Sequence, residues 1–160
     1  MKKASLLLAL SLLSILLCII LAPIVCMPLD SDEIMGTFEV SLFEPTITAF
    51  ILAIISAIFA SLFVITLAKK HNKSANPLIL SIGIGLFGLF YGLRTAYSDA
   101  ANILDSFYNT WGSNSWNMAS LMPEWSDKFH STASIYMILI VVSTIITAFG
   151  IYKVYISIRK

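Results

Sequence analysis

Arg94 is a strongly charged residue near the end of a long apolar segment, residues 78–96. A helix rises about 1.5 Å per residue, so Arg94 lies about 24 Å from the start of the segment, and its guanidinium can extend to a polar boundary. Glu44 and Asp99 are carboxylates expected near the same boundary. The spacing predicts an ion pair or an anchoring role for Arg94, with ion conduction or ligand binding as the alternative.

Three hydroxyl side chains lie near the middle of a second apolar segment, residues 134–156. They are Ser143, Thr144 and Thr147. Hydroxyls within a helix commonly donate a hydrogen bond to a carbonyl one turn earlier, which satisfies them locally. The alternative is that they line a narrow polar path through the protein. Local hydrogen bonding is the simpler interpretation, and the polar path is kept as a hypothesis.

Three signatures of common enzyme and metal sites are absent from the sequence: HExxH, CxxC and a Ser/His/Asp set. No pair of carboxylates lies within an apolar segment, and the two histidines, His71 and His130, fall in different connections. A catalytic or metal centre needs several such groups together. We therefore predict a protein that is not an enzyme, needs no cofactor or metal, and binds no nucleic acid.

Composition indicates a membrane protein. Of the 160 residues, 58% are hydrophobic and 12% are charged, and the mean hydropathy is +0.89. Crossing about 30 Å of hydrocarbon takes roughly 20 helical residues, and four apolar segments reach that length. The sequence predicts an all-α integral membrane protein forming one domain, residues 1–160, with transmembrane helices at about residues 4–25, 47–68, 78–96 and 134–156.

The charged residues are divided between two sets of connections. All nine acidic residues lie within residues 27–46 and 97–131, whereas eight of the ten basic residues lie towards the two termini and in residues 69–77. Basic residues in short connections stay on the cytoplasmic side of a membrane. We therefore predict a multi-pass protein of the cell membrane with both termini cytoplasmic, two outer loops (27–46 and 97–131) and one inner loop (69–77).

Small residues recur at helical spacing in two neighbouring segments. Such stripes allow membrane helices to approach closely, although in water each Gly would weaken a helix by about 1 kcal/mol relative to Ala. We predict that the stripes pack against each other or against a second subunit. The residues are Ser81, Gly85, Gly88 and Gly92 in the third helix, and Ala49, Ala53, Ala57 and Ala60 in the second.

Residues 99–111 alternate apolar and polar side chains with a helical period. One apolar face and one acidic face are typical of a helix that lies in the membrane interface, which is the prediction for this part of the second outer loop. Aromatic residues continue beyond it and predict either an anchor at the headgroup level or a surface that binds a partner. They are Phe107, Tyr108, Trp111, Trp116, Trp125 and Phe129.

The stretch GLFGLFYGLRTAYSDAA, residues 85–101, resembles the inside-to-outside helix of the proton-channel family that includes flagellar stators and the energisers of outer-membrane transport. Gly85, Gly88 and Gly92 match the glycines of that family's GLxGTxxG pattern, and Leu89 replaces its Thr. The resemblance implies an ion-channel or motor subunit in which Thr144 and Thr147 face the pore and a partner chain supplies the essential acid.

Helix packing is the activity that these patterns favour. We predict a non-enzymatic, small polytopic membrane protein that acts by protein–protein association, as a subunit or accessory factor of a membrane complex. Its expected partners are the lipid bilayer and either other membrane subunits or further copies of itself. Two alternatives are left open: the ion-channel or motor subunit, and a membrane immunity factor.

Overall fold

Four α-helices account for most of the chain in a computed structural model, which describes residues 2–26, 29–30, 40–111 and 122–159. The helices are α1 (Lys2–Val25), α2 (Phe43–Lys70), α3 (Leu78–Trp111) and α4 (Met122–Arg159). Two short antiparallel strands, β1 (Leu29–Asp30) and β2 (Val40–Ser41), pair between α1 and α2. Each helix is long and apolar enough to cross a membrane, which confirms the prediction of an all-helical protein with four candidate spans.

The connection between α2 and α3 follows from its residue types. After Lys70 the chain turns at Asn72, whose φ of 52° is in the left-handed region that Asn tolerates better than most residues. The Lys73 amide then donates to the Ala68 carbonyl at 3.0 Å, which closes the end of α2. The Asn76 side chain accepts a hydrogen bond from the Leu78 amide at 2.9 Å and so caps the start of α3.

Helix α3 is central to the fold. It packs against α1, α2 and α4, and its most extensive contact is with α4. Helix α1 also contacts α2, whereas α4 packs chiefly on α3 alone. Large apolar side chains on the outer faces of α1, α2 and α4 are exposed, as expected for surfaces that meet lipid.

The structure corrects the predicted interfacial helix. Residues 99–111 are not a separate helix, because α3 continues without a break to Trp111. The sequence contains no Gly or Pro after Gly92 in this helix, so nothing ends it where the apolar segment ends. Small and apolar side chains of the extension are buried in the described structure, including Ala100, Ala101 and Leu104.

Helix α4 also begins earlier than predicted, at Met122 rather than near residue 134, with Pro123 in its first turn. The 34 residues of α3 and the 38 of α4 correspond to lengths of about 51 Å and 57 Å. Both lengths exceed the roughly 30 Å of bilayer hydrocarbon. Even a tilt of about 40°, the upper end of the usual range, leaves α3 spanning about 39 Å along the membrane normal. The α3–α4 pair therefore extends beyond the hydrocarbon.

Candidate functional site

The small residues of α2 and α3 face one another within the chain. A Cβ atom built on Gly85 would lie 3.2 Å from the Cβ of Ala57, and one built on Gly92 would lie 3.0 Å from the Cβ of Ala49 and 3.1 Å from the Sγ of Cys26. Cys26, which follows α1, is fully buried at this point. Segments from the α1, α2 and α3 regions thus converge at Gly92.

The same seam continues along both helices. Gly88 lies opposite Ser56, and a Cβ there would be 3.5 Å from the Ser56 Oγ, an ordinary contact distance. Further along, the hydroxyls of Ser61 and Ser81 form a hydrogen bond of 2.7 Å between α2 and α3. Ala53 and Ala60 are buried on the same face of α2. The small residues on α3 that the sequence predicts for packing therefore contact α2 of the same chain.

A shallow groove runs along the surface beside this seam. Its cavity volume is about 430 Å³, and Ser61 and Ser81 supply its hydroxyls. The remaining lining is apolar, with Ile54, Ile58 and Ile82 exposed at its edges. This groove is a surface of the α2–α3 pair that the internal packing leaves accessible.

Among the described glycines, the two with the tightest surroundings are ones that the sequence patterns did not identify. A Cβ built on Gly83 of α3 would lie 2.8 Å from the backbone nitrogen of Thr147, and one built on Gly150 of α4 would lie 2.6 Å from the Cα of Leu80. Ser143, Thr147 and Gly150 recur at steps of four and three on α4. That spacing is the signal that could have indicated a packing face rather than a polar path.

The three hydroxyls near the middle of α4 donate hydrogen bonds to their own helix. Ser143 and Thr144 both donate to the Ile140 carbonyl at 2.8 Å, and Thr147 donates to the Ser143 carbonyl at 2.8 Å. A pocket of about 260 Å³ lies beside Thr144 and Thr147, but its other lining residues are apolar: Ile15, Ile19, Ile84 and Phe87. The geometry matches local hydrogen bonding, the simpler of the two interpretations.

Arg94 does not form the predicted ion pair. Neither Glu44 nor Asp99 lies within 4.0 Å of it, and the ion pairs among the described residues are Lys128–Glu124 and His130–Asp105. Residues five apart on a helix differ by about 140° in direction, which points Arg94 and Asp99 to different sides of α3. Glu44 lies in the first turn of α2, where an acid suits the positive end of a helix.

Asp105 connects the extended ends of α3 and α4. Its Oδ1 accepts a hydrogen bond of 2.6 Å from the Ser126 hydroxyl, and its Oδ2 lies 3.2 Å from the Nε2 of His130. These hydrogen bonds hold the pKa of the Asp105 carboxyl below its ordinary value, and the bond from Ser126 has the largest effect. Ser126 itself is buried, so it depends on Asp105 for a partner.

Replacing Asp105 with Ala should therefore destabilise the protein by about 1–2 kcal/mol, because the buried Ser126 hydroxyl loses its acceptor. The matched control is Glu124→Ala, which removes an exposed ion pair to Lys128 one turn away and should cost about 0.5 kcal/mol or less. Denaturant unfolding in detergent, followed by circular dichroism, measures both. Equal losses in the two variants would show that Asp105 does not join the helices.

The aromatic residues divide into internal and exposed members. Phe129 packs between α3 and α4, with its ring centroid 5.8 Å from that of Tyr97 and 6.1 Å from that of Trp125. Trp125 and Tyr108 are exposed on the outside of the helix pair. Phe107 and Trp111 belong to the extended part of α3, and Trp116 lies outside the described residues.

Metal-binding geometry is not found in the part of the chain that the structure describes, where no group of three or more His, Cys, Asp or Glu side chains could hold an ion. Comparisons with protein-family models, with curated proteins and with solved structures find no match to this chain. The residues and their geometry are therefore the basis for a functional proposal.

Proposed function

We propose that this protein is a non-enzymatic membrane subunit that acts by associating with other membrane-embedded chains, either further copies of itself or different subunits. The observation that carries this proposal is the groove between α2 and α3, with a volume of about 430 Å³ and a lining of small and apolar residues. Membrane helices associate by close packing at small residues, since lipid supplies no hydrophobic driving force between them.

The arrangement of α4 supports the same proposal. This helix packs chiefly against α3, and its other faces carry exposed apolar side chains such as Ile135, Val142 and Ile145. The charge distribution supports an orientation of the protein in the membrane. With basic residues towards both termini and in the α2–α3 connection, both termini lie on the cytoplasmic side of the cell membrane.

The test is the mass of the complex in nanodiscs, with every co-purified chain identified. We expect an assembly larger than one chain. Ile58 is exposed at the edge of the groove, so Ile58→Trp should fill the groove and weaken association about tenfold or more, because overpacking a fitted interface is costly.

Leu13→Trp is the matched control, because Leu13 has a similar exposure on α1 and does not line the groove. It should leave the mass of the assembly unchanged. A wild-type protein that is recovered as a single chain without partners would overturn the proposal. Equal weakening by both tryptophans would exclude the groove as the interface.

The two alternatives receive less support from the geometry. A channel or motor subunit would use Thr144 and Thr147 as pore hydroxyls, yet both donate to carbonyls of their own helix beside an apolar pocket. Ion flux in proteoliposomes that responds to substitution of either Thr would favour this alternative. For a membrane immunity factor, no feature of the described residues points to the toxin that it would neutralise.

A further inference from the structure

A second pocket lies between α3 and α4, near the level where α3 leaves the apolar part of the bundle. Its volume is about 430 Å³. Arg94 and Ser98, one turn apart, contribute from α3, and His130 and Ser134, also one turn apart, contribute from α4. Two apolar side chains, Met137 and Ile138, complete the α4 wall at about the level of Arg94. The pocket therefore has a lining that is partly polar and partly apolar.

Arg94 supplies the positive charge of this pocket. No carboxylate lies within 4.0 Å of its guanidinium among the described residues, although the same end of the helix pair carries Asp99 and Asp105. Asp105 is instead engaged by Ser126 and His130, so the His130 ring is held in position at the pocket edge. An arginine that is partly buried and not neutralised by the protein favours an external anion.

We propose that this pocket binds the phosphate group of a membrane phospholipid, with Arg94 as the main ligand of the phosphate. The planar guanidinium can donate two parallel hydrogen bonds to phosphate oxygens. Ser98 adds a hydroxyl beside it. The Ser134 hydroxyl already donates to the His130 carbonyl at 2.9 Å, so its remaining capacity is to accept.

Depth and shape favour a lipid over a soluble phosphate. Arg94 lies 16 residues beyond Leu78, or about 24 Å along α3, close to the edge of a hydrocarbon layer about 30 Å thick. Phospholipid phosphates lie just outside that edge, within reach of a long side chain. Met137 and Ile138 add an apolar surface beside Arg94 that an acyl chain can cover. A soluble anion would have no use for this apolar surface.

The test is a titration of the purified protein in detergent with dioleoyl phosphatidylglycerol, with bound lipid counted by native mass spectrometry. We expect Arg94→Gln to weaken binding about tenfold or more, because it removes the charged donor to the phosphate. Arg94→Lys retains the positive charge but lacks the planar guanidinium with its two parallel donors. It should therefore bind the lipid more tightly than Arg94→Gln and less tightly than wild type. Ser98→Leu, which fills the pocket while retaining Arg94, should also weaken binding.

Two controls separate the possible explanations. Lys128→Gln removes one positive charge outside the pocket and should leave the affinity within about twofold of wild type, since its exposed pair with Glu124 contributes little. Dioleoylglycerol, which lacks the phosphate, should bind wild type and Arg94→Gln equally.

Equal phosphatidylglycerol affinities for wild type, Arg94→Gln and Ser98→Leu would overturn the proposal. Displacement of the lipid by millimolar inorganic phosphate in wild type, but not in Arg94→Gln, would also overturn it, because the pocket would then be a site for soluble phosphate. If Arg94→Gln loses its helical circular dichroism spectrum, Ser98→Leu decides the outcome.

Discussion

Gly150→Ala is expected to destabilise the protein by about 2 kcal/mol or more, since overpacking a close contact forces backbone to move. The added Cβ would lie 2.6 Å from the Cα and 2.8 Å from the backbone nitrogen of Leu80. Backbone atoms cannot rotate away as the end of a flexible side chain can. The only relief is to separate α4 from α3, which opens the most extensive helix contact in the fold.

Gly88→Ala is the matched control for this prediction. It is also a Gly-to-Ala change in a buried helix position, but the added Cβ would lie 3.5 Å from the Ser56 Oγ, an ordinary contact. Because Ala favours the helix by up to about 1 kcal/mol over Gly, this variant should be neutral or slightly stabilised. Denaturant unfolding in detergent compares the two variants. Equal stabilities would show that α3 and α4 do not approach closely at Gly150.

Gly83→Ala is expected to have a loss of similar size on the opposite side of the same contact. Its added Cβ would lie 2.6 Å from the Thr147 Oγ1, and also 2.8 Å and 2.9 Å from the backbone nitrogen and Cα of that residue. The expected destabilisation is again about 2 kcal/mol. Combined with Gly150→Ala, it should cost less than the sum of the two single losses, because the first change has already separated the helices.

The background variant Thr147→Ala tests the cause of the Gly83 effect. It removes the Oγ1 but leaves the backbone nitrogen and Cα in place, so Gly83→Ala should remain destabilising in this background. Unfolding free energies of the four combinations give the coupling between the two positions. Full recovery of stability in the double variant would mean that the clash is with the hydroxyl alone and that the backbones have room.

The existence of the four helices could be predicted from the sequence, whereas the ends of α3 and α4 could not. Hydropathy detects the membrane-spanning segments because a helix in lipid must be apolar over about 20 residues. The hydropathy falls where the same helix continues into water, so the end of the helix is missed. Residues 99–111 have a helical period and no breaking residue. This pattern suits a helix in the membrane interface and equally suits one packed on a neighbour. The partners Ser126 and Phe129 lie in α4, too distant in sequence for the local pattern to reveal.

Periodicity also explains which site residues could be found. Gly85, Gly88 and Gly92 repeat at helical spacing, so the sequence alone predicts one packing face of α3. Gly83 is a single glycine on another face, and its significance depends on the backbone of Thr147, which is 64 residues away. The absence of an ion pair between Arg94 and Asp99 has a related cause. Asp99 is only five residues from Arg94 in the sequence, which made it a candidate partner. The rotation of the helix over those five residues directs the two side chains apart.

The excess length of α3 and α4 has a practical consequence for imaging this molecule. Four crossings of roughly 20 residues each would place about half of the 160 residues within the lipid of a nanodisc, which leaves few features for aligning particles in electron microscopy. A paired helical stub that rises about 10 Å or more above the hydrocarbon, by the lengths of the two helices, would appear on one face of the disc only. It would serve as a built-in fiducial that distinguishes the two faces of the disc in each particle image.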